Sequence, residues 1–450
     1  MPSAVVLDSS IGTGRPTGPD MVEDLCLGME LKFLLLGLPR SETVGLPINR
    51  SSDGTTTTSQ EAYQKQAYTA LARVIGRGSG LDKSGSGPST SSAQPRAISK
   101  SDIADAGLME RDYWPSHWIV KKANSVEHME EDPQPDSRRT NGVAISVELN
   151  SPKLAWRDLY APSLVSKVLS RVKTLPTYVN YTCDVHVHVG RCDGVAFTLP
   201  TLKKLATIFW LAEPILRSVR NPHSPNYTNA YTWGFDQRRY SRLALAMAKK
   251  SPTTDPVTIG EDILARVRSS VRDEDDEEWQ KYMSSTGQDT FRSEALRAIW
   301  QSATSQELGL LLSGSQREHR RLGFNFSAFG GEDERSKTNP RTIEFRILEG
   351  TLQEELVQGW LQICGKLVEL GMKGRQTKFC EVVQYLVAQQ PDYDELLKNT
   401  ENDRLQARVR RERGRVTRDT LFAEFMETIG VDPMAYVPFQ EKIRREYGSA

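Results

Sequence analysis

The sequence predicts an α+β domain in which one largely antiparallel sheet carries helices on one face and a cleft on the other. Three observations lead there. Strict two-residue alternation of apolar and polar side chains recurs at residues 25–33, 143–150, 183–190, 321–326 and 342–348, which is the period of a half-buried strand. Stretches between and beyond these segments space their apolar residues three and four apart, as amphipathic helices do. The strands are dispersed from residue 25 to residue 348, so they belong to one interleaved domain rather than to independent units.

In chain order, residues 1–20 are small and polar and predict a disordered lead, which leaves 21–450 as the single domain. The first strand sets Leu25, Leu27, Met29, Leu31 and Phe33 on one face and Gly28, Glu30 and Lys32 on the other. A helix is predicted over 60–75, and the Gly/Ser-rich stretch 76–99 reads as a flexible insertion. Within it Lys83-Ser84 imitates the end of a phosphate-binding loop, but Asp82 occupies the place of the required glycine and no helix follows. A short strand over 118–121 is followed by an acidic turn through Glu130, Glu131 and Asp132. The segment 143–150 turns Val143, Ile145, Val147 and Leu149 inward and Ala144, Ser146, Glu148 and Asn150 outward, and Pro152 closes it.

A helix over 164–172 leads to C-D-V-H-V-H-V-G at 183–190, which holds two of the six histidines. Its alternation directs Cys183, Val185, Val187 and Val189 to a core and Asp184, His186 and His188 the other way. Thr198 and Pro200 open a longer helix with Leu202, Leu205, Phe209, Ala212 and Leu216 along one side, which Pro214 should kink or restart. Residues 250–290, with an acidic run at 273–278, read as a solvated insertion. Segment 321–326 buries Leu322, Phe324 and Phe326 and leaves Arg321 and Asn325 opposite, while 342–348 buries Ile343, Phe345 and Ile347 and leaves Glu344 and Arg346 opposite. Thr351 and Glu354 have the spacing of a capping box for a helix striped by Leu356, Trp360, Ile363, Leu367 and Leu370. The C-terminal part is helical in pattern, and its basic run over 404–418 fits a solvated helix better than a nucleic-acid surface.

If these strands share one sheet, its polar face gathers Glu30, Lys32, Glu148, Asp184, His186, His188, Arg321, Asn325, Glu344 and Arg346. Carboxylates walled into a cleft require cations. Glutamate oxygens, few cysteines and no carbonyl-rich loop suit Mg or Mn better than zinc.

Five motifs in this order, G-M-E-L-K-F at Gly28, V-E-L-N-S-P at Val147, C-D-V-H-V-H-V-G at Cys183, R-L-G-F-N-F at Arg321 and T-I-E-F-R-I-L-E-G-T-L at Thr342, resemble the amidoligases. These belong to the carboxylate-amine ligase superfamily related to glutamine synthetase and glutamate-cysteine ligase. The resemblance spans roughly residues 25–372 and implies a curved, glutamine-synthetase-like sheet and an ATP-dependent, amide-forming reaction through an acyl phosphate. It implies metal ligation by Glu30, Glu148 and Glu344, with Mg or Mn on the nucleotide phosphates. It places His188 near phosphate or metal and Arg346 at the charge of the transferred group; on the same polar face, Lys32, His186, Arg321 and Asn325 are candidates for binding the nucleotide. It also makes the 220–240 loop, with Asn226, Tyr227, Tyr231, Trp233, Arg238, Arg239 and Tyr240, a candidate for substrate recognition; otherwise that stretch reads as a partly buried aromatic loop. The implied partners are small-molecule or peptide carboxylates and amines. Two departures stand out: the E-x-E pattern of such ligases has Lys32 at its second position, and D-x-S becomes Ala123-Asn124-Ser125. A catalytically degenerate ligase fold that binds or scaffolds is therefore the alternative.

Composition bounds the rest. Basic and acidic residues balance at 58 each, so there is no overall pull toward nucleic acid. Five scattered cysteines form no zinc or disulfide pattern, which makes a reducing, cytoplasmic setting the simplest expectation. No signal peptide or membrane span is expected from the sequence. A zinc hydrolase using His186 and His188 lacks a convincing third ligand, because His223 and His319 lie outside the strand motifs.

Overall fold

The computed structural model describes residues 24–38, 57–76, 94–135, 143–225, 236–248, 290–314, 322–330, 341–398 and 417–448. Its centre is a nine-stranded sheet. The strands are β1 (Leu25–Leu35), β2 (Ala97–Ser99), β3 (Trp118–Lys122), β4 (Ile145–Asn150), β5 (Leu154–Ala155), β6 (Thr177–Tyr178), β7 (Val185–Arg191), β8 (Phe324–Asn325) and β9 (Ile343–Phe345). Their order is β2-β3-β4-β1-β7-β9-β8, with β5 and β6 pairing along β1. Only β2 with β3 is parallel, so the sheet is mostly antiparallel, as the alternating segments predict.

One face of the sheet is the core. Leu27, Met29, Leu31 and Phe33 join Val147, Leu149, Val187, Val189, Ile343 and Phe345 in one apolar cluster. Helices α1 (Thr57–Gly76), α2 (Ala161–Lys173), α3 (Leu199–Arg217) and α5 (Glu354–Lys373) supply its other side, and a short helix α4 (Gln237–Tyr240) returns against α3. Phe209 of α3 stacks on Phe324 at 4.4 Å between centroids, and Trp360 of α5 meets Phe345 edge-on. Helices α6 (Gln376–Lys398), α7 (Arg418–Ile429) and α8 (Pro433–Gly448) form a further layer, in which α6 packs on α3 and α8 on α5. Among the described residues, no helix is long and apolar enough to cross a membrane.

Several sequence expectations are corrected here. Cys183 does not share the face of Val185. Asn180 to Cys183 close a turn before β7 begins, and Cys183 enters a small separate cluster with Leu34, Leu36, Ala123 and Val126. The cysteines do hold a disulfide, because Cys26 and Cys192, 166 residues apart, meet where β1 runs beside the end of β7. That pairing removes the basis on which a reducing compartment was expected. Pro214 does not restart α3, which runs unbroken through it and ends three residues later at Arg217. Its missing N–H falls in the last turn of a helix buried on nearly every side, where packing outweighs one lost hydrogen bond. The capping box is also absent: Gln353 is the N-cap of α5 and makes no side-chain cap bond, Thr351 accepts from the Gln353 N–H, and Glu354 instead accepts from Ser166 and Gln358. Arg321, the acidic insertion, most of 76–99, most of the basic run 404–418 and loop residues 226–235 lie outside the described residues.

Candidate functional site

Register on the polar face of the sheet decides which side chains meet. In β1 Gly28 and the side chains of Glu30 and Lys32 alternate with core residues. Gly28 lies opposite His188 and Glu30 opposite His186 on β7, while His188 lies opposite Glu344 on β9, and Glu344 opposite Asn325 on β8. Four strands thus bring Glu30, His186, His188, Asn325, Glu344 and Arg346 into one patch. The register on the other side of β1 sets Lys32 against Glu148, and Glu148 against Lys121 on β3.

At the centre of the patch, one ligand atom each from Glu30, His188 and Glu344 lie within 4.8 Å of one another, the geometry of a three-ligand metal site. His188 Nε2 is 3.3 Å from Glu30 Oε1 and 3.9 Å from Glu344 Oε1. Its Nδ1 pairs with Thr342 Oγ1 at 3.1 Å, while Nε2 is buried without a hydrogen-bond partner. Were Nδ1 to donate to Thr342, Nε2 would be left with its lone pair for a metal between the two carboxylates. Gly190 makes this possible, since a Cβ there would stand 2.7 Å from Thr342 Cγ2.

A second ring of groups fixes the carboxylates. Glu344 receives Arg346 Nη1 at 2.6 Å on one oxygen and Asn325 Nδ2 at 2.6 Å on the other. Buried His186 lies with Nδ1 3.1 Å from Glu30 Oε2 and 3.3 Å from Glu344 Oε1, and with Nε2 3.8 Å from Asp184 Oδ2. Asp184 is fully buried and lies 3.6 Å from Arg220.

Electrostatics follow from these distances. Burial alone would raise the carboxyl pKa of Glu30, but His186 and His188 beside it outweigh burial and hold the group well below the ordinary range. Burial also opposes ionisation of Glu344, and is overcome by Arg346 and then the two histidines. Asp184 is lowered against its burial, chiefly by His186 and Arg220. Conversely, His188 is raised despite burial, because Glu344 and Glu30 face it. The centre therefore holds two carboxylates shifted toward their ionised form beside His188, a donor set that would fit a divalent cation taken up in exchange for the His188 proton.

Of the residues singled out from the sequence, the structure brings Glu30, His186, His188, Asn325, Glu344 and Arg346 together, pairs Lys32 with Glu148 on the β4 side of β1, and does not describe Arg321. Glu148 stands outside the three-ligand cluster, its Oε1 3.1 Å from Lys121 Nζ. Alternation had put Glu148 on the correct face but could not say that β4 lies on the far side of β1 from β7 and β9. His188, rather than Glu148, completes the three-residue cluster with Glu30 and Glu344. Thr342 was missed, although it lies two residues before Glu344 and so on the same face. Of the aromatic loop, Arg238, Arg239 and Tyr240 are described and lie in α4. Ala123 is buried in the small apolar cluster, whereas Ser125 reaches the site through Lys32.

Residues 24–292 match a family whose description reads "putative amidoligase enzyme". The match covers more than half of the chain and includes Glu30, Lys32, Glu148, His186 and His188. No curated protein and no solved structure matches the chain.

Proposed function

The chain belongs to the amidoligase family, and from that premise we propose that it forms amide bonds by activating a carboxylate with ATP and passing the acyl group to an amine. The observation that carries the reading is the Glu30–His188–Glu344 cluster with Arg346 bonded at its edge. Two carboxylates and one imidazole are a donor set for Mg or Mn, and the carboxylate majority argues against zinc. A divalent cation bound there would neutralise charge on the phosphates of the nucleotide.

The protein's own groups divide the remaining work. A substrate carboxylate oxygen attacks the terminal phosphorus of ATP and ADP leaves, so the product is an acyl phosphate. The amine nitrogen, once deprotonated, attacks the acyl carbon, and phosphate departs with the bonding pair. Arg346 presents a guanidinium whose planar fork can hold two phosphoryl oxygens as charge shifts between them. Asn325 and His186 hold Glu344 and Glu30 in place, so that the site is formed before substrate arrives. The carboxylate and amine are small molecules or peptides.

Calorimetry with ATP and Mg tests the first half of the reading, and ADP release against a panel of carboxylates and amines tests the second. Metal-dependent ATP binding is expected, and it should be abolished by Glu344→Gln. Absence of such binding at millimolar ATP would overturn the proposal. Binding without turnover of any pair would favour the non-catalytic reading raised by Lys32.

A further inference from the structure

Lys32 is an ammonium placed where a ligand would be expected to lie. It is two residues beyond Glu30 on the same face of β1, hence about 7 Å along the strand, and only 6 % of it is exposed. Its Nζ donates to Ser125 Oγ at 3.2 Å, which accounts for one of three N–H donors. Asp184 feels its charge but accepts no hydrogen bond from it. A buried ammonium with so little compensation calls for an anion.

The carboxylates around it are already allocated. Among the described residues, Glu30 and Glu344 belong to the three-ligand cluster. Glu148, directly across from Lys32 in the β1–β4 register, is bound by Lys121 at 3.1 Å. Asp184 is held between Arg220 and His186. A second divalent ion about 3.5–4 Å from the first would need ligands of its own, and in the direction of Lys32 it would meet two ammonium groups instead.

Resting on the function proposed above, we propose that this is a one-metal centre, in which the Lys32 ammonium supplies the second positive charge and binds phosphoryl oxygens of the nucleotide. The anion completes the hydrogen bonding of the ammonium, and Ser125 holds the side chain toward it. Lysine does here as a fixed point charge what a second cation would do by coordination.

The test is a Mn titration of the full chain, read by electron paramagnetic resonance, together with calorimetric binding of inorganic tripolyphosphate and of a non-hydrolysable ATP analogue. The wild type should bind one Mn per chain. Lys32→Met should still bind one Mn but lose about 10-fold or more in affinity for both tripolyphosphate and the analogue. Lys32→Glu should gain a second Mn, and if that variant fails to fold, Lys32→Met decides alone. Two Mn of similar affinity in the wild type would overturn this inference while leaving the ligase reading intact. Unchanged tripolyphosphate affinity in Lys32→Met would do the same. No Mn bound by any of the proteins would overturn both.

Discussion

At the residue scale, the working part of the site is a set of hydrogen bonds that aim ligands rather than the ligands alone. Thr342 Oγ1 lies 3.1 Å from His188 Nδ1, where accepting the Nδ1 proton would leave Nε2 to a metal, and it owes its position to the missing side chain of Gly190. Thr342→Val keeps the shape and removes the acceptor. Its Mn affinity should fall about 10-fold with a melting temperature close to the wild type, and unchanged affinity would show that the tautomer is set elsewhere. Arg346→Lys keeps the charge but loses the fork, so it should fold normally and lose roughly 100-fold in turnover; activity within a factor of two of wild type would remove Arg346 from the reacting centre. Both residues were within reach of the sequence, because 342, 344 and 346 share one strand face. What alternation could not supply was adjacency. Glu148 and His188 each lie on the polar face, but only the pairing of β7 with both β1 and β9 puts His188, and not Glu148, beside the two glutamates.

At the element scale, β1 and β7 carry four of the groups in the site, and a covalent link joins them. Cys26 lies opposite Gly190 in the ladder, and Cys192 follows the end of β7, so the disulfide clamps the strand ends away from Glu30 and His186. A loop of 166 residues is closed by it, and links of this kind contribute about 2–4 kcal/mol. Thiol titration of the unfolded, unreduced protein should therefore find Cys183, Cys364 and Cys380 only. Reduction, or Cys26→Ser with Cys192→Ser, should lower the unfolding midpoint without abolishing Mn binding. Five titratable thiols would refute the link. No spacing rule could have paired residues so far apart in sequence, whereas the strands themselves were legible because a period of two survives without knowledge of neighbours. The two-residue strands β5 and β6 are too short to display a period. The predicted strand at 342–348 ends early because its pairing with β7 slips by one residue after Phe345: the Val185 N–H bonds Leu348 O and Asp184 bridges Glu349, one residue out of the Val187–Phe345 register.

At the scale of the whole molecule, pH should act on stability from two sides. Glu30, Asp184 and Glu344 have lowered pKa values, so the stability they contribute is present above the ordinary carboxylate range and is lost as the pH falls below it. Glu213 has the opposite sign. It is buried in α3, and its carboxylate accepts the backbone N–H groups of Gln237 and Arg238 at the start of α4, fastening the two helices together. Burial, and then repulsion from Asp236, push its pKa up from 4.5 to about 8. Between those values the folded chain holds a proton that the unfolded chain has released. Its contribution is complete below the unfolded pKa, declines as the pH rises toward the folded one, and is gone above about 8. The loss amounts to a few kcal/mol at roughly 1.4 kcal/mol per pH unit. Urea unfolding of the wild type should accordingly weaken from pH 5 to pH 8, and Glu213→Gln should flatten that decline. The variant should be the less stable protein at pH 5, because its amide offers one acceptor where the carboxyl group receives two N–H groups, and the gap should narrow or reverse by pH 8. Curves for the two proteins that run parallel across this range would show that Glu213 is ionised in the folded state at pH 5, held there by its two N–H donors against its burial.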